Sequence, residues 1–160
     1  MGIADIFDVL EGVARFEYVV PTWNDDEVMD LDEIDNFGNV PKIAWSALTV
    51  MERYCRAKKD DGYAKGFQHF VEEHGELLTP KRVAMGETAQ TMARWGDERR
   101  FPVPVEVDPS GYVHMEAHIK LTKDGINSPR MHFYDDTNGT GRIYVGYLGR
   151  HLTNTQTSNM

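Results

Sequence analysis

From Gly2 to Arg15 the apolar residues Ile3, Ile6, Phe7, Leu10 and Val13 recur at steps of three and four, which predicts a one-sided first helix. Phe16 to Val20 alternates briefly and uses the aromatic and β-branched types that suit a pleated surface, so a short strand is expected there, ended by Pro21. Pro41 opens a second helix at a position where its missing N–H costs nothing, and Ala44, Leu48, Met51 and Cys55 carry the apolar stripe on to about Lys58, widened by Trp45. Asp60-Asp61-Gly62 breaks it. Tyr63, Phe67, Phe70, Val71 and His74 then mark a third helix, and Glu87 to Trp95 a fourth.

Near Val103 the period changes from about 3.6 to 2, the strongest organisational signal in the chain. Pro102 and Pro104 exclude helix, and Val103, Val105 and Val107 alternate before the turn at Asp108 to Gly111. Tyr112 to Leu121 forms the next strand. A polar loop with Asp124-Gly125 leads to a strand over Arg130 to Asp136, and the turn at Thr137 to Gly141 leads to another over Arg142 to Leu148. The expectation is therefore an α+β fold: one domain over 1–160, mainly helical over 1–100, with helices packed on one face of a C-terminal four-stranded antiparallel meander over 103–152. The polar tail 153–160 is expected to be flexible. There is no internal repeat.

Alternation sorts each strand into two faces. Val113, Met115, Ala117, Ile119, Leu121, Met131, Phe133, Ile143, Val145 and Tyr147 form the expected core face. Tyr112, His114, Glu116, His118, Lys120, Arg130, His132, Tyr134, Arg142, Tyr144 and Gly146 form the other, with Gly146 expected to leave a shallow depression for a ligand. A solvated face built of cross-strand His, Glu and Tyr pairs would show the same alternation. Its content is less ordinary: histidines titrate near neutrality, arginines fork onto phosphate, and tyrosines stack on bases. His114 and His118, four apart on one strand, stand roughly 13 Å apart at ~3.3 Å per residue, too far to chelate one metal directly; a metal would need one of them with Glu116 and the cross-strand His132, an arrangement that would make this face that of a metal-dependent or small-molecule enzyme but that no motif signals, so no metal or other cofactor is expected. Acid–base chemistry asks only that a His and a Glu or Lys flank one reacting group.

At 160 residues the chain is long enough to bury a core without staples, and 41% hydrophobic with 27% charged residues is a globular balance. No apolar run reaches bilayer length and no signal-peptide pattern is found, which gives the expectation of a cytoplasmic protein with no membrane partner. The single cysteine, Cys55, excludes an internal disulfide, and its place on a helical apolar stripe marks it as a buried thiol. The net charge of −9 is unevenly spread: residues 1–110 hold 12 Lys/Arg against 22 Asp/Glu, and residues 111–160 hold 5 against 4, with four of the six histidines. The C-terminal part is electrostatically a different surface.

Asn24 to Asp35 holds seven acids, followed by the turn formers Asn36, Gly38 and Asn39. Read as an EF-hand loop from Asp30, the fifth and sixth positions are Ile34 and Asp35, where a ligand and a glycine are required, so a solvated acidic loop is expected instead. His69 and His74 are five apart, a poor match to a zinc-binding helix pair. No phosphate-binding glycine loop, dinucleotide fingerprint, nucleophile elbow or paired CxxC is present.

The segment PRMHFYDDTNGTGRIYVGYLGRHL, Pro129 to Leu152, resembles the Arg-bearing strand, loop and apolar strand of RelE-type toxins and their barnase-like relatives, which are metal-independent ribonucleases. The resemblance covers about the last sixty residues. It implies RNA as a partner, with Arg130 and Arg142 holding phosphate, His118, His132 or His151 moving protons, and Tyr134 or Tyr144 stacking on a base; His114, Glu116 and Lys120 complete the substrate-facing set. This chain is longer and more acidic than such toxins. The alternative is a noncatalytic interaction protein, an accessory, immunity or acidic nucleic-acid-mimic protein, meeting a protein partner through Trp23, Asp25, Asp26, Glu27, Asp30 and Asp32, with Phe37 as a further anchor.

Overall fold

The computed structural model describes residues 2–34, 39–122 and 128–154. Helix α1 is Ile6–Val13, opened by a capping box in which the Asp5 carboxylate accepts the Asp8 amide and Asp8 reciprocates. Phe7 of the expected stripe is exposed. The acidic segment expected as a loop forms two short helices, α2 over Asp25–Met29 and α3 over Leu31–Ile34. Asn24 caps α2 by accepting the Asp26 amide at 2.9 Å, and three acids in its first turn suit the positive end of the helix dipole. Val28 and Leu31 fasten the pair to the core. Asp35 to Gly38, with the anchor Phe37, lie outside the described residues, as do Asp124-Gly125 and tail residues 155–160.

Helix α4, Asn39–Asp60, buries Ala44, Ala47, Leu48, Met51, Tyr54 and Cys55 along one side. Helix α5 is Phe67–Glu73, and α6 is Ala89–Trp95, capped by the Thr88 hydroxyl accepting the Thr91 amide at 3.1 Å. Among the described residues no helix is long and apolar enough to cross a membrane.

The strands are β1 (Val19–Pro21), β2 (Val83–Ala84), β3 (Arg100–Pro102), β4 (Tyr112–His114), β5 (His118–Lys120), β6 (Arg130–Asp136) and β7 (Arg142–Gly149). The main sheet has five strands in the order β1-β7-β6-β5-β2, with β1 parallel to β7 and the rest antiparallel; β3 and β4 form a separate two-stranded ribbon. This corrects the expected four-stranded antiparallel meander. Two strands come from the first hundred residues: Val19 pairs with Ile143, and Val83 with Ile119. Val103 to Val107 is not a strand: Pro104 has no amide to give a ladder and the chain turns after it, with the Val107 amide donating to the Pro104 carbonyl at 2.9 Å; Val105 is 73% exposed. The run Tyr112 to Leu121 breaks at Met115 to Ala117, so that its two ends serve different sheets.

Helices α1, α4 and α5 cover one face of the main sheet, where Ile119, Met131, Phe133, Ile143, Val145 and Leu148 join the main core. Val113, expected there, instead packs half-buried with Val103, Met115 and Tyr144 in a second cluster under the ribbon. Glu52 of α4 accepts the amides of Glu17, Tyr18 and Val19 at 2.8, 2.8 and 3.1 Å, which bolts the entry to β1 onto the helix layer. Tyr54 donates to Asp135 Oδ2 at 2.7 Å and does the same for β6. The opposite face of β5–β6–β7 lies beneath the ribbon.

Candidate functional site

Direct pairing places Lys120, Arg130 and Gly149 in one row across β5, β6 and β7, and His118, His132 and Tyr147 in the next. Tyr147 was expected on the core face. A bulge between His132/Phe133 and Tyr147/Val145 leaves Gly146 unpaired and reverses the alternation beyond it, bringing Tyr147 opposite His132. The expected depression at Gly146 is filled: a Cβ there would collide with the Phe101 side chain and lie 2.8 Å from Met115 Sδ. Glycine is needed for this close approach, not for a ligand.

The face is roofed rather than open. Phe101 from β3 stacks on Tyr147 at 5.5 Å between ring centroids and lies 6.1 Å from the His132 ring, so His132 is 1% and His118 7% exposed. What remains is a cavity of about 200 Å³ lined by Glu87, Arg99, His118, Lys120, Arg130, His132, His151 and Asn154. Of the expected site residues, His118, Lys120, Arg130, His132 and His151 thus converge. Arg142 stands exposed at the far end of β7, beside Lys58 and Lys59 in a separate cavity of about 360 Å³. His114 is exposed in the ribbon, opposite Arg100. Tyr144 is a core residue, 1% exposed, with its hydroxyl donating to Thr140 Oγ1 at 3.0 Å, and Tyr134 packs half-buried on the same cluster. Neither tyrosine lines the cavity. Glu116 is a support, its carboxylate accepting the Glu87 amide at 3.3 Å.

Glu87, Arg99 and Asn154 join the site without having been expected there. Arg99 is 1% exposed and its Nε donates to Glu87 Oε2 at 2.6 Å, with a second bond from Nη1 to the Trp95 carbonyl at 3.3 Å. A buried guanidinium needs such a partner. Glu87 and Arg99 flank α6, twelve residues apart, a spacing that carries no periodic signal.

The two sheet histidines are oriented by consecutive carbonyls. His118 Nδ1 donates to the Glu116 carbonyl and His132 Nδ1 to the Met115 carbonyl, each at 2.8 Å. A carbonyl only accepts, so each Nδ1 carries the hydrogen and each Nε2 presents a lone pair. In a regular strand successive carbonyls point to opposite edges, so the break at Met115 to Ala117 is what lets both serve one face. Burial pulls His132 down to about 3, reinforced by the neighbouring His118. Burial also lowers His118, against the opposing pull of the Glu116 carbonyl and the Glu87 carboxylate, and lowers His151. His151 Nδ1 is bonded to the Leu152 carbonyl, and its Nε2 meets the Asn154 amide at 3.4 Å.

At neutral pH the cavity therefore holds neutral imidazoles and one carboxylate against three cations, Arg99, Lys120 and Arg130, a positive spot on a chain of net charge −9. Among the described residues Arg130 donates to the carbonyls of Ser128 and Pro129, and the Glu87 carboxylate acts on its charge only through space. Such a site suits an oxyanion. Its only cluster of metal-ligand type among the described residues is Glu87, His118 and His132, each offering a donor atom within 4.8 Å of the others.

The acidic alternative surface is also placed. Asp25, Asp26, Glu27, Asp30 and Asp32 are exposed, while Trp23 is half-buried against the core with its Nε1 donating to Asp25 Oδ1 at 3.0 Å. Comparison with known proteins returns no match: no family model fits the chain, and neither a curated protein nor a solved structure matches it.

Proposed function

We propose that the protein is a metal-independent ribonuclease whose reaction centre is the cavity between β5, β6 and the Glu87–Arg99 pair. The observation that carries this reading is that Arg99, Lys120 and Arg130, together with His118, His132 and His151, line one cavity of about 200 Å³, which has room for a phosphate group. An adjoining cavity of about 310 Å³, lined by Thr79, Lys81, Arg82, Lys120 and Thr122, shares Lys120 and offers room and charge for the next nucleotide unit.

In this reading Lys120 and Arg130 neutralise the scissile phosphate. His118, neutral and with Nε2 free to accept, takes the proton of the 2′-hydroxyl as its oxygen forms a bond to phosphorus. The bond from phosphorus to the 5′-oxygen breaks, and that oxygen takes a proton from His151, which the incoming phosphate charge favours in its protonated form. The products are a 2′,3′-cyclic phosphate and a free 5′-hydroxyl. His132 stays neutral and holds the geometry, and Arg99 fixes the Glu87 carboxylate beside His118, with Oε1 4.0 Å from Nδ1.

The test is cleavage of a mixed RNA pool in EDTA by wild type, Arg130→Ala and His118→Gln. Cleavage to cyclic-phosphate ends that falls by roughly 100-fold or more in both variants is expected. Absence of cleavage by wild type, with and without added metal, overturns the reading and passes the weight to partner binding through the exposed acids of α2 and α3.

A further inference from the structure

The donor chemistry of Glu87, His118 and His132 matches more than proton transfer. We infer that these three residues form a binding site for a borderline divalent transition ion, Zn(II) being the representative, and that the ion inhibits the site by occupying its proton acceptor. The inhibitory half of this inference rests on the ribonuclease reading; the binding half does not.

One donor atom from each residue already lies within 4.8 Å of the other two, and His118 and His132 stand directly opposite each other on paired strands. Two imidazoles and a carboxylate are the set preferred by Zn(II), Co(II), Ni(II) and Cu(II) over Mg(II) or Ca(II), which seek oxygen. The supporting contacts are those that orient metal-binding side chains: each imidazole gives its Nδ1 hydrogen to a backbone carbonyl, so Nε2 carries the lone pair, and Arg99 holds Glu87 Oε2, leaving Oε1, which lies 4.0 Å from His118 Nδ1 and must move toward Nε2 to share an ion. Closing the donors to bonds of roughly 2.0–2.2 Å asks most movement of Glu87. It sits in the irregular segment before α6, next to Gly86, whereas the histidines are fixed in the sheet.

Lys120 and Arg130 oppose a cation in the cavity, so affinity falls below that of a dedicated structural zinc site. The same two cations favour an anion, hydroxide or phosphate, as the fourth ligand. With the ion in place the lone pair of His118 is committed, and the attacking hydroxyl has lost its base.

Titration of the metal-free full chain with Co(II) reads binding directly through the visible ligand-field bands, and Zn(II) calorimetry gives the stoichiometry. One ion per chain is expected, with affinity reduced roughly 10–100-fold in Glu87→Gln and in His118→Gln. His118→Gln is the safer variant because it leaves intact the ion pair on which the buried Arg99 guanidinium depends. His69→Gln controls for adventitious binding at the exposed His69–Glu73 pair, 2.9 Å apart, and retains the wild-type signal. No Co(II) spectrum, or one that the triad variants leave unchanged and His69→Gln removes, overturns the site. Loss of RNA cleavage on adding Zn(II), with recovery in EDTA, supports inhibition, whereas activation by the metal overturns both inhibition and the metal-independent reading. Retained Co(II) binding in a protein that cleaves no RNA sinks the nuclease reading and the inhibition with it, and leaves the metal site standing.

Discussion

His118 and His132 face each other across β5 and β6 with ring centroids 5.0 Å apart, and each is tied through Nδ1 to one of two consecutive carbonyls, Glu116 and Met115. Neither ring can turn without breaking its bond, so the pair presents two lone pairs to one cavity. Protonating one raises the cost of protonating the other.

That relationship predicts acid sensitivity. His132 has a folded value of about 3 against 6.5 for the free side chain, so between these values the unfolded chain binds the extra proton. The stabilising contribution is complete above about pH 6.5 and is lost as the pH falls toward 3. Over the two units from pH 6.5 to 4.5 the loss from this residue approaches ~2.7 kcal/mol, from 1.36 kcal/mol per unit. Urea unfolding at pH 7.5 and 4.5 measures it. A His132→Asn protein is less stable at pH 7.5 but shows a smaller drop on acidification, and an equal drop in both proteins would show that His132 does not carry the effect.

The division between the two arginines that the sequence treated alike is a second test. Arg130 lines the cavity that holds His118, His132 and His151, whereas Arg142 is exposed at the other end of the sheet. On the ribonuclease reading, Arg130→Ala lowers cleavage by roughly 100-fold or more, and Arg142→Ala leaves the rate on short RNA substrates close to wild type. Equal losses in a rate assay would place the phosphate elsewhere.

Gly146→Ala probes the roof. The new methyl meets Phe101 of β3 and the fully buried Met115, and overpacking of this kind costs roughly 1–3 kcal/mol. Chemical denaturation reads the loss of stability, and a stable Gly146→Ala protein with unchanged activity would mean that the ribbon yields easily.

Cys55 gives a fourth prediction. Burial pushes its thiol up to about 12, and the residue is 1% exposed on α4. The folded protein reacts with a disulfide reagent far more slowly at pH 8 than the urea-unfolded chain does, because the thiolate is the reactive form. Comparable rates in the two states would contradict the buried position.

The legible parts of the fold are those whose signal is local. Helix α4 shows in the apolar stripe from Ala44 to Cys55, and β6 and β7 show in an alternation long enough to be unambiguous. Strand β1 was legible as a strand but not as a partner of β7, because three residues say nothing about what they pair with. Tyr112 to Leu121 misled because its alternation is the same whether the chain stays in one sheet or crosses between two. Tyr147 was assigned to the wrong face for a single cause, the bulge at Gly146, which counts one residue out of step. His118, Arg130 and His132 could be grouped from the sequence because they share a sheet face, whereas Glu87 and Arg99 enter from outside the sheet, where the buried Arg99 is paired with Glu87.

The parallel pairing of Val19 with Ile143 also sets when the molecule can be completed. Strand β1 is made early and can find its place only after β7 has been made, so the sheet cannot close while the C-terminal strands are still being synthesised. Its helices can form as they emerge, but the row of His118, His132 and Tyr147 needs the last strand. The chain passes through a stage with a helical layer and an unfinished sheet edge, when association with other chains is most favourable, and long-range pairing of this kind makes folding slow. Completion of the histidine-lined cavity is thereby deferred until β7 has been made, and whatever that cavity does is deferred with it.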